Sequence, residues 1–195
     1  GGWKYPKGLV NDKNFVAKAY KDGVPMGQDL PKKAGDAPTF AIWALKDPES
    51  GNLDRVQVIK VWAHPANGLP VEKIYDVAWS DNRKPDAKTG KLPPVGNTVD
   101  IKKATYTNDI GDTQLSAVWT DPDFDAATPA VYYVRVLEIP TPRWSTYDSV
   151  KTGIPVPEGI PLTIQERAWS SPIWYTADQP ASAVHHAAPM PHPDN

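Results

Sequence analysis

From Thr39 onward, apolar and polar residues alternate in short runs, each closed by proline, glycine or aspartate. "TFAIWALKD" reads as a strand ended by Asp47-Pro48 and the turn "PESGN". "LDRVQVIKVWAH" follows, with Val56, Val58 and Trp62 on one face and Arg55, Gln57 and Ile59 on the other. The short link between these two runs predicts an antiparallel hairpin. "NGLP" is a turn and "VEKIYDVAWSD" a third strand. Residues 81–112 have no period, and a stretch of that length is expected to carry one or two short strands of its own. "TQLSAVWTD" is the next strand and "DPDFDAATP" a corner. "AVYYVRVLEI" is the clearest strand, with Tyr132, Val134 and Val136 on one face and Tyr133, Arg135 and Leu137 on the other. A proline-rich excursion then occupies residues 140–162. "LTIQERAWSSPIWYT" closes the series as a strand bent at Ser171-Pro172, where proline marks an edge or a bulge.

The flanks follow other patterns. Residues 1–37 read as an N-terminal extension. Within it "NDKNFVAKAYKDG" predicts a short helix, capped by Asn11 or Asn14 and ended by Gly23, and "GVPMGQDLPKKAGDAP" an ordered loop. Residues 178–195 hold almost no core-forming side chains and are expected to be a flexible tail. Residues 38–177, with six or more strands at hairpin spacing, predict a mainly β domain. Its architecture is expected to be an antiparallel β-sandwich with long proline-rich insertions, a closed barrel being the alternative.

Composition supports that picture and narrows the functions. Twenty-two prolines spread along 195 residues exclude long helices. Eight tryptophans supply aromatic anchors that bury on the order of 150–250 Å² each. The absence of cysteine excludes disulfides and thiolate chemistry but decides no compartment. A net charge of −2 with interspersed signs makes nucleic acid a poor partner. No apolar run approaches the roughly 18 residues of a spanning helix, so no membrane partner is expected. The opening Gly-Gly, in place of Met, reads as a piece of a longer protein or a processed one.

Motifs for chemistry are sparse. His64, His185, His186 and His192 form no H-x-H or H-E-x-x-H pattern, so no metal site is expected from this chain. Asp121, Asp123 and Asp125 alternate like the first half of a calcium loop, a weak calcium candidate. Ala126 and Tyr132 stand where that loop needs glycine and glutamate, which favours a carboxylate-capped turn. Neither a G-x-S-x-G elbow nor a phosphate-binding loop occurs, so no catalytic residue is assigned and the chain alone reads as non-enzymatic. Glu138, Arg143, Glu166 and Arg167 flank strand ends beside proline breaks, and Arg135 sits mid-strand on an apolar-looking face. Such groups anchor a long loop to a sheet by ion pairs, or, with Trp144, form a candidate interface or binding surface. Trp43, Trp62, Trp79 and Trp119 read as core or sheet-face packing. Trp144 and Trp174 stand where sugar-stacking platforms occur, so a sugar or other small-molecule ligand is a second expectation.

"NLDRVQVIKVW", "EKIYDVAWSDNRKP", "YYVRVLEIPTPRW" and "QERAWSSPIWYT" together resemble the C-terminal region of a bacterial family of unknown function related to the polymerase-and-histidinol-phosphatase (PHP) metallohydrolases. The resemblance runs from "GGW" and "GVPMGQDLP" through "SPIWYT". It implies a fibronectin- or immunoglobulin-like sandwich following a module whose H-x-H motif binds catalytic divalent metal, in a periplasmic or secreted protein. That motif is missing here, so no metal ligand carries over to this chain. The implied role is a non-catalytic accessory C-terminal β-sandwich that packs against or shapes the metal-bearing module, with Arg143 and Trp144 of "IPTPRW" facing it. The alternative is a stand-alone secreted carbohydrate- or ligand-binding β-module.

Overall fold

The computed structural model describes residues 1–31 and 35–177. The alternating runs become strands β1 (Thr39–Leu45), β2 (Leu53–Ala63), β3 (Pro70–Trp79), β4 (Gln114–Thr120), β5 (Ala130–Pro142), β6 (Thr163–Trp169) and β7 (Ile173–Tyr175). Helix α1 spans Phe15–Lys21 and α2 spans Trp144–Thr152. All strand pairings are antiparallel. One sheet has the order β3-β2-β5-β6 with β7 also on β5, and the other is β1-β4 alone. The two sheets share no strand, so the domain is a sandwich and no barrel closes.

β2 is central and is buried on both faces, with Val56, Val58 and Ile59 at 1% exposure or less. Phe40, Ile42 and Leu115 of the small sheet meet Val56, Val58 and Tyr132 of the large one in the core. Phe40 and Tyr132 bring their ring centroids to 4.7 Å, an aromatic contact linking the layers. One end of the core is closed by Trp3 and Tyr175, whose rings meet edge-on at 5.8 Å. Within residues 1–31, Trp3 and Leu30 join the core cluster, and Tyr5, Leu9 and Val10 are buried as well.

Several sequence expectations change. β1 does not form a hairpin with β2; its partner is β4, from Thr39↔Thr120 to Leu45↔Gln114. Asn52 explains the crossing, because its side-chain amide donates to the carbonyls of Asn108 and Ile110 at 3.1 and 3.0 Å, drawing the link toward the end of the 81–112 excursion. The true hairpin is β2–β3, closed at Gly68, whose N–H reaches the His64 carbonyl at 2.8 Å with φ +69°.

Residues 81–112 form no strand, only isolated bridges such as Asp100↔Thr105. The excursion is held by burial of Leu92, Val95 and Ala104 and by side-chain bonds from the sheet. β5 runs through Pro140 and Pro142 instead of breaking before them. Pairing with β2 ends at Glu138, so that flank of β5 is an open edge where a missing N–H leaves no ladder bond unmade. The expected short helix is present as α1, although Asn14 makes no side-chain cap bond. The excursion at 140–162 contains α2, stopped by Gly153 at φ +74°. The bend at Ser171-Pro172 separates β6 from β7. The tail expected at 178–195 lies outside the described residues.

Candidate functional site

The small sheet covers only part of the large one, and beside it an apolar cleft of about 690 Å³ opens. Its floor is the exposed continuation of the core, including Phe40, Ile42, Val134 and Val136. One wall is β1, whose residues Ala41 to Leu45 all line the cleft, with α1 above it. The other wall is β6 with Ser170 and Ser171. Large apolar groups stand exposed at the lips: Trp43 at 49%, Leu45 at 71% and Trp169 at 58%. Phe15 of α1 packs on Trp43 with centroids at 5.9 Å, which fixes the helix over that wall. Isolated surface hydrophobics are ordinary, but a contiguous apolar cleft is not, which makes this one the candidate site.

The sequence-derived candidates divide between two places. Glu138, Glu166 and Arg167 line the cleft and give it a charged rim. Glu138 Oε2 accepts a bond from Ser50 Oγ at 2.6 Å, which ties it to the β1–β2 link. Arg143 and Trp144 do not line the cleft; they begin α2, with Arg143 as its N-cap residue. The Arg143 guanidinium lies 5.8 Å from the Trp144 ring centroid, and its buried Nε has no hydrogen-bond partner among the described residues. α2 is anchored by Thr146, whose hydroxyl donates to the Leu162 carbonyl at 2.7 Å. Trp144 is exposed, and Trp174 is partly so; it lies in β7 opposite Val131, and its backbone N–H donates to the Gln28 carbonyl at 3.2 Å while its carbonyl accepts from the Leu30 N–H at 2.8 Å.

The aspartates of "DPDFD" are committed to other partners. Asp121 Oδ2 accepts from Lys60 at 2.6 Å and from the Tyr132 hydroxyl at 2.7 Å. Asp123 takes Lys73 at 2.5 Å and the Tyr75 hydroxyl at 2.7 Å, contacts that hold its carboxyl below the usual carboxylate range. Asp125 is held low by the Ala127 N–H at 2.9 Å and the Thr128 hydroxyl at 2.7 Å. Burial first, then the bond to Asp121, raises the Tyr132 phenol well above its ordinary value. Among the described residues no three His, Cys, Asp or Glu side chains come together to hold a metal.

Arg135 does not sit on an apolar face. Its Nε donates to Gln57 Oε1 at 2.8 Å, and Gln57 donates to Asp76 at 2.8 Å. The ladder continues to Asp54, which receives Arg55 at 3.0 Å, Arg83 at 2.6 Å and Gln165 at 3.1 Å. An ion pair anchoring a long loop does exist, but it is Asp54–Arg83 and not the set chosen from the sequence. Nothing local to Arg83 distinguishes it from other loop cations. Trp43 and Trp169 were visible as strand residues, while their exposure depends on how far the small sheet reaches.

One protein-family model matches the chain over residues 1–177: Protein of unknown function (DUF3604). The chain belongs to this family. No curated protein matches it, and no solved structure does. The DUF3604 match includes residues 1–31 together with the sandwich, in keeping with the burial of Trp3 and Tyr5 in the same core.

Proposed function

We propose that this DUF3604 domain is a non-catalytic accessory β-sandwich that packs through its apolar cleft against another module of the same protein, a PHP-like metallohydrolase module by resemblance. One observation carries the reading: two large strand residues, Trp43 and Trp169, stand half exposed on opposite lips of a carbon-walled cleft that opens onto the core. Burying surface of this kind contributes about 25 cal/mol per Å², so a covering module stabilises both parts. The rim groups Glu138, Glu166 and Arg167 set orientation at such an edge more than they add affinity. Any divalent metal belongs to the partner module in this reading, because this chain offers no ligand cluster among its described residues.

The test is the pair Leu45→Lys and Trp169→Arg, made both in the isolated chain and in the polypeptide that carries the preceding module. The isolated chain should keep its unfolding midpoint, since both side chains are exposed. The longer polypeptide should lose stability and hydrolytic activity. Equal behaviour of wild type and variants in the longer form removes the reading.

A further inference from the structure

The flank of β1 away from β4 is begun by another strand and then left open. Gly2 donates to the Thr39 carbonyl at 2.8 Å and receives the Thr39 N–H at 2.7 Å. One residue back, Gly1 bonds the opposite way: its nitrogen donates to the Val24 carbonyl at 2.7 Å, and the Val24 N–H returns to the Gly1 carbonyl at 2.8 Å. Gly1-Gly2 is thus the middle rung of a three-strand ladder, antiparallel to Thr39 on one side and to Gly23-Val24 on the other.

Beyond that rung no described residue takes the middle position, while both flanks continue. The flanks are Ala41 to Leu45 of β1 and Val24 to Met26, and all of these residues line the cleft. Successive strand residues point to opposite faces, so a run of consecutive residues can line a cleft only by presenting its edge. The Pro38 carbonyl and the Lys46 N–H bond toward the β4 side, so the backbone groups of Ala41, Trp43 and Leu45, like those of Thr39, face the open flank. The Gly1 nitrogen already makes the bond that an amide N–H would make there. Its surroundings suit a neutral group, because burial pulls the amine down to about 5.

We propose that polypeptide joined to the Gly1 nitrogen continues as a β-strand along the free edge of β1, becoming the third strand of the small sheet and filling the cleft. This rests on the reading of the cleft as a docking site, and it names what enters first. The register follows from Gly2↔Thr39. The first residue ahead of Gly1 faces Ala41, the second Ile42, the third Trp43, the fourth Ala44 and the fifth Leu45. The first, third and fifth exchange backbone bonds with β1, so none of them is proline. The second and fourth share the inward face of Gly1, where an added Cβ would meet Ile173 and Leu30 at 3.1 Å and Phe40 at 3.2 Å. Both are therefore apolar.

The experiment compares two forms of the protein: the chain beginning at Gly1, and the same chain carrying the residues its gene encodes ahead of Gly1. Residue-resolved amide exchange is read at Ala41, Trp43 and Leu45, and acrylamide quenching reports Trp43 and Trp169. In the longer form the three edge amides should slow by about 100-fold, while Phe40, Ile42 and Ala44, already bonded to β4, change little. Proline in place of the third upstream residue should abolish protection at Trp43, and alanine there should not. Shielded tryptophans without protected edge amides overturn the added strand and leave the docking reading standing. Protected edge amides with Trp169 still quenched keep the strand and overturn docking of a whole module. No change in either signal, or a gene encoding nothing ahead of Gly1, overturns the proposal.

Discussion

Lys60 Nζ lies 2.6 Å from Asp121 Oδ2, and both side chains are almost wholly withdrawn from solvent, at 6% and 0% exposure. The pair joins the central strand β2 to the corner that follows β4, so it links the two sheets across the core. Lys60 also donates to the Asp123 carbonyl at 2.7 Å, and Asp121 holds the Tyr132 hydroxyl and the Asp123 N–H. A buried pair adds modest net stability, yet stranding one partner is expensive.

Lys60→Met should therefore cost about 3–5 kcal/mol in urea unfolding, as should Asp121→Ala. The combination Lys60→Met, Asp121→Leu and Tyr132→Phe should cost less than either single change, because no buried charge or hydroxyl is left without a partner. A triple variant as unstable as the sum of its parts would show that the pair itself, and not its desolvation, holds the sheets together.

Asp54 is the second such junction. Its carboxylate collects Arg55, Arg83 and Gln165, and Arg83 donates onward to the Pro93 carbonyl at 2.9 Å. Arg83→Ala should destabilise the domain by about 2 kcal/mol, because the buried Asp54 carboxylate loses a charge-assisted bond but keeps Arg55 and Gln165. It should also speed amide exchange at Lys91 within the excursion, whose carbonyl and N–H both depend on local turns. Lysine in its place should rescue only part of this, since a single ammonium cannot reproduce the fork that reaches Asp54, Ser80 and Pro93 together.

What the sequence disclosed follows from the range of each signal. The faces of β5 were legible because an unbroken two-residue period acts within the strand itself, and the Tyr132 face is indeed the inward one. The β1–β2 link reads as a hairpin in the sequence because a few residues can either turn back or cross the roughly 10 Å between layers. The deciding contact, Asn52 to Asn108 and Ile110, lies far away along the chain. α2 left a readable trace in Pro142 just ahead of it and Gly153 just behind it, although the many prolines hid the pattern. For the cleft, Glu138, Glu166 and Arg167 were found as charged residues near strand ends. Trp43, Leu45 and Trp169 were not singled out as site residues, because a strand residue looks the same whether its sheet has two strands or three.

Glycine positions separate strain from crowding. At Gly111, φ is +77° and a Cβ would come within 2.7 Å of both the Asn52 Cβ and the Ile139 Cγ2. Gly68 has φ +69° and nothing within 4 Å. Gly68→Ala should cost about 1 kcal/mol from the left-handed backbone alone. Gly111→Ala should cost clearly more, about 3 kcal/mol, because the neighbours are a strand link and a core residue that cannot move aside. Thermal unfolding of the two variants under one set of conditions checks the order, and equal costs would mean that the Asn52 link yields.

The chain beginning at Gly1 should carry a pH dependence that an amide at that nitrogen abolishes. Burial lowers this amine from 8.0 to about 5 in the folded protein. Between those values the unfolded chain holds a proton that the folded one does not, so stability rises with pH across the window. The contribution is fully present above pH 8, declines as pH falls, and levels off below about pH 5, where the folded amine is protonated as well. Three units at about 1.4 kcal/mol each set an upper bound near 4 kcal/mol, and residual solvent contact lowers the expected loss to about 2–3 kcal/mol. Asp123 and Asp125, with carboxyls held below 3.8, lose their contribution only at lower pH, so they do not blur the window. Urea midpoints measured from pH 8.5 to pH 5 should fall for the free amine and stay nearly flat for the Nα-acetylated chain. Parallel curves would place the titrating group elsewhere and leave the Gly1 nitrogen solvated.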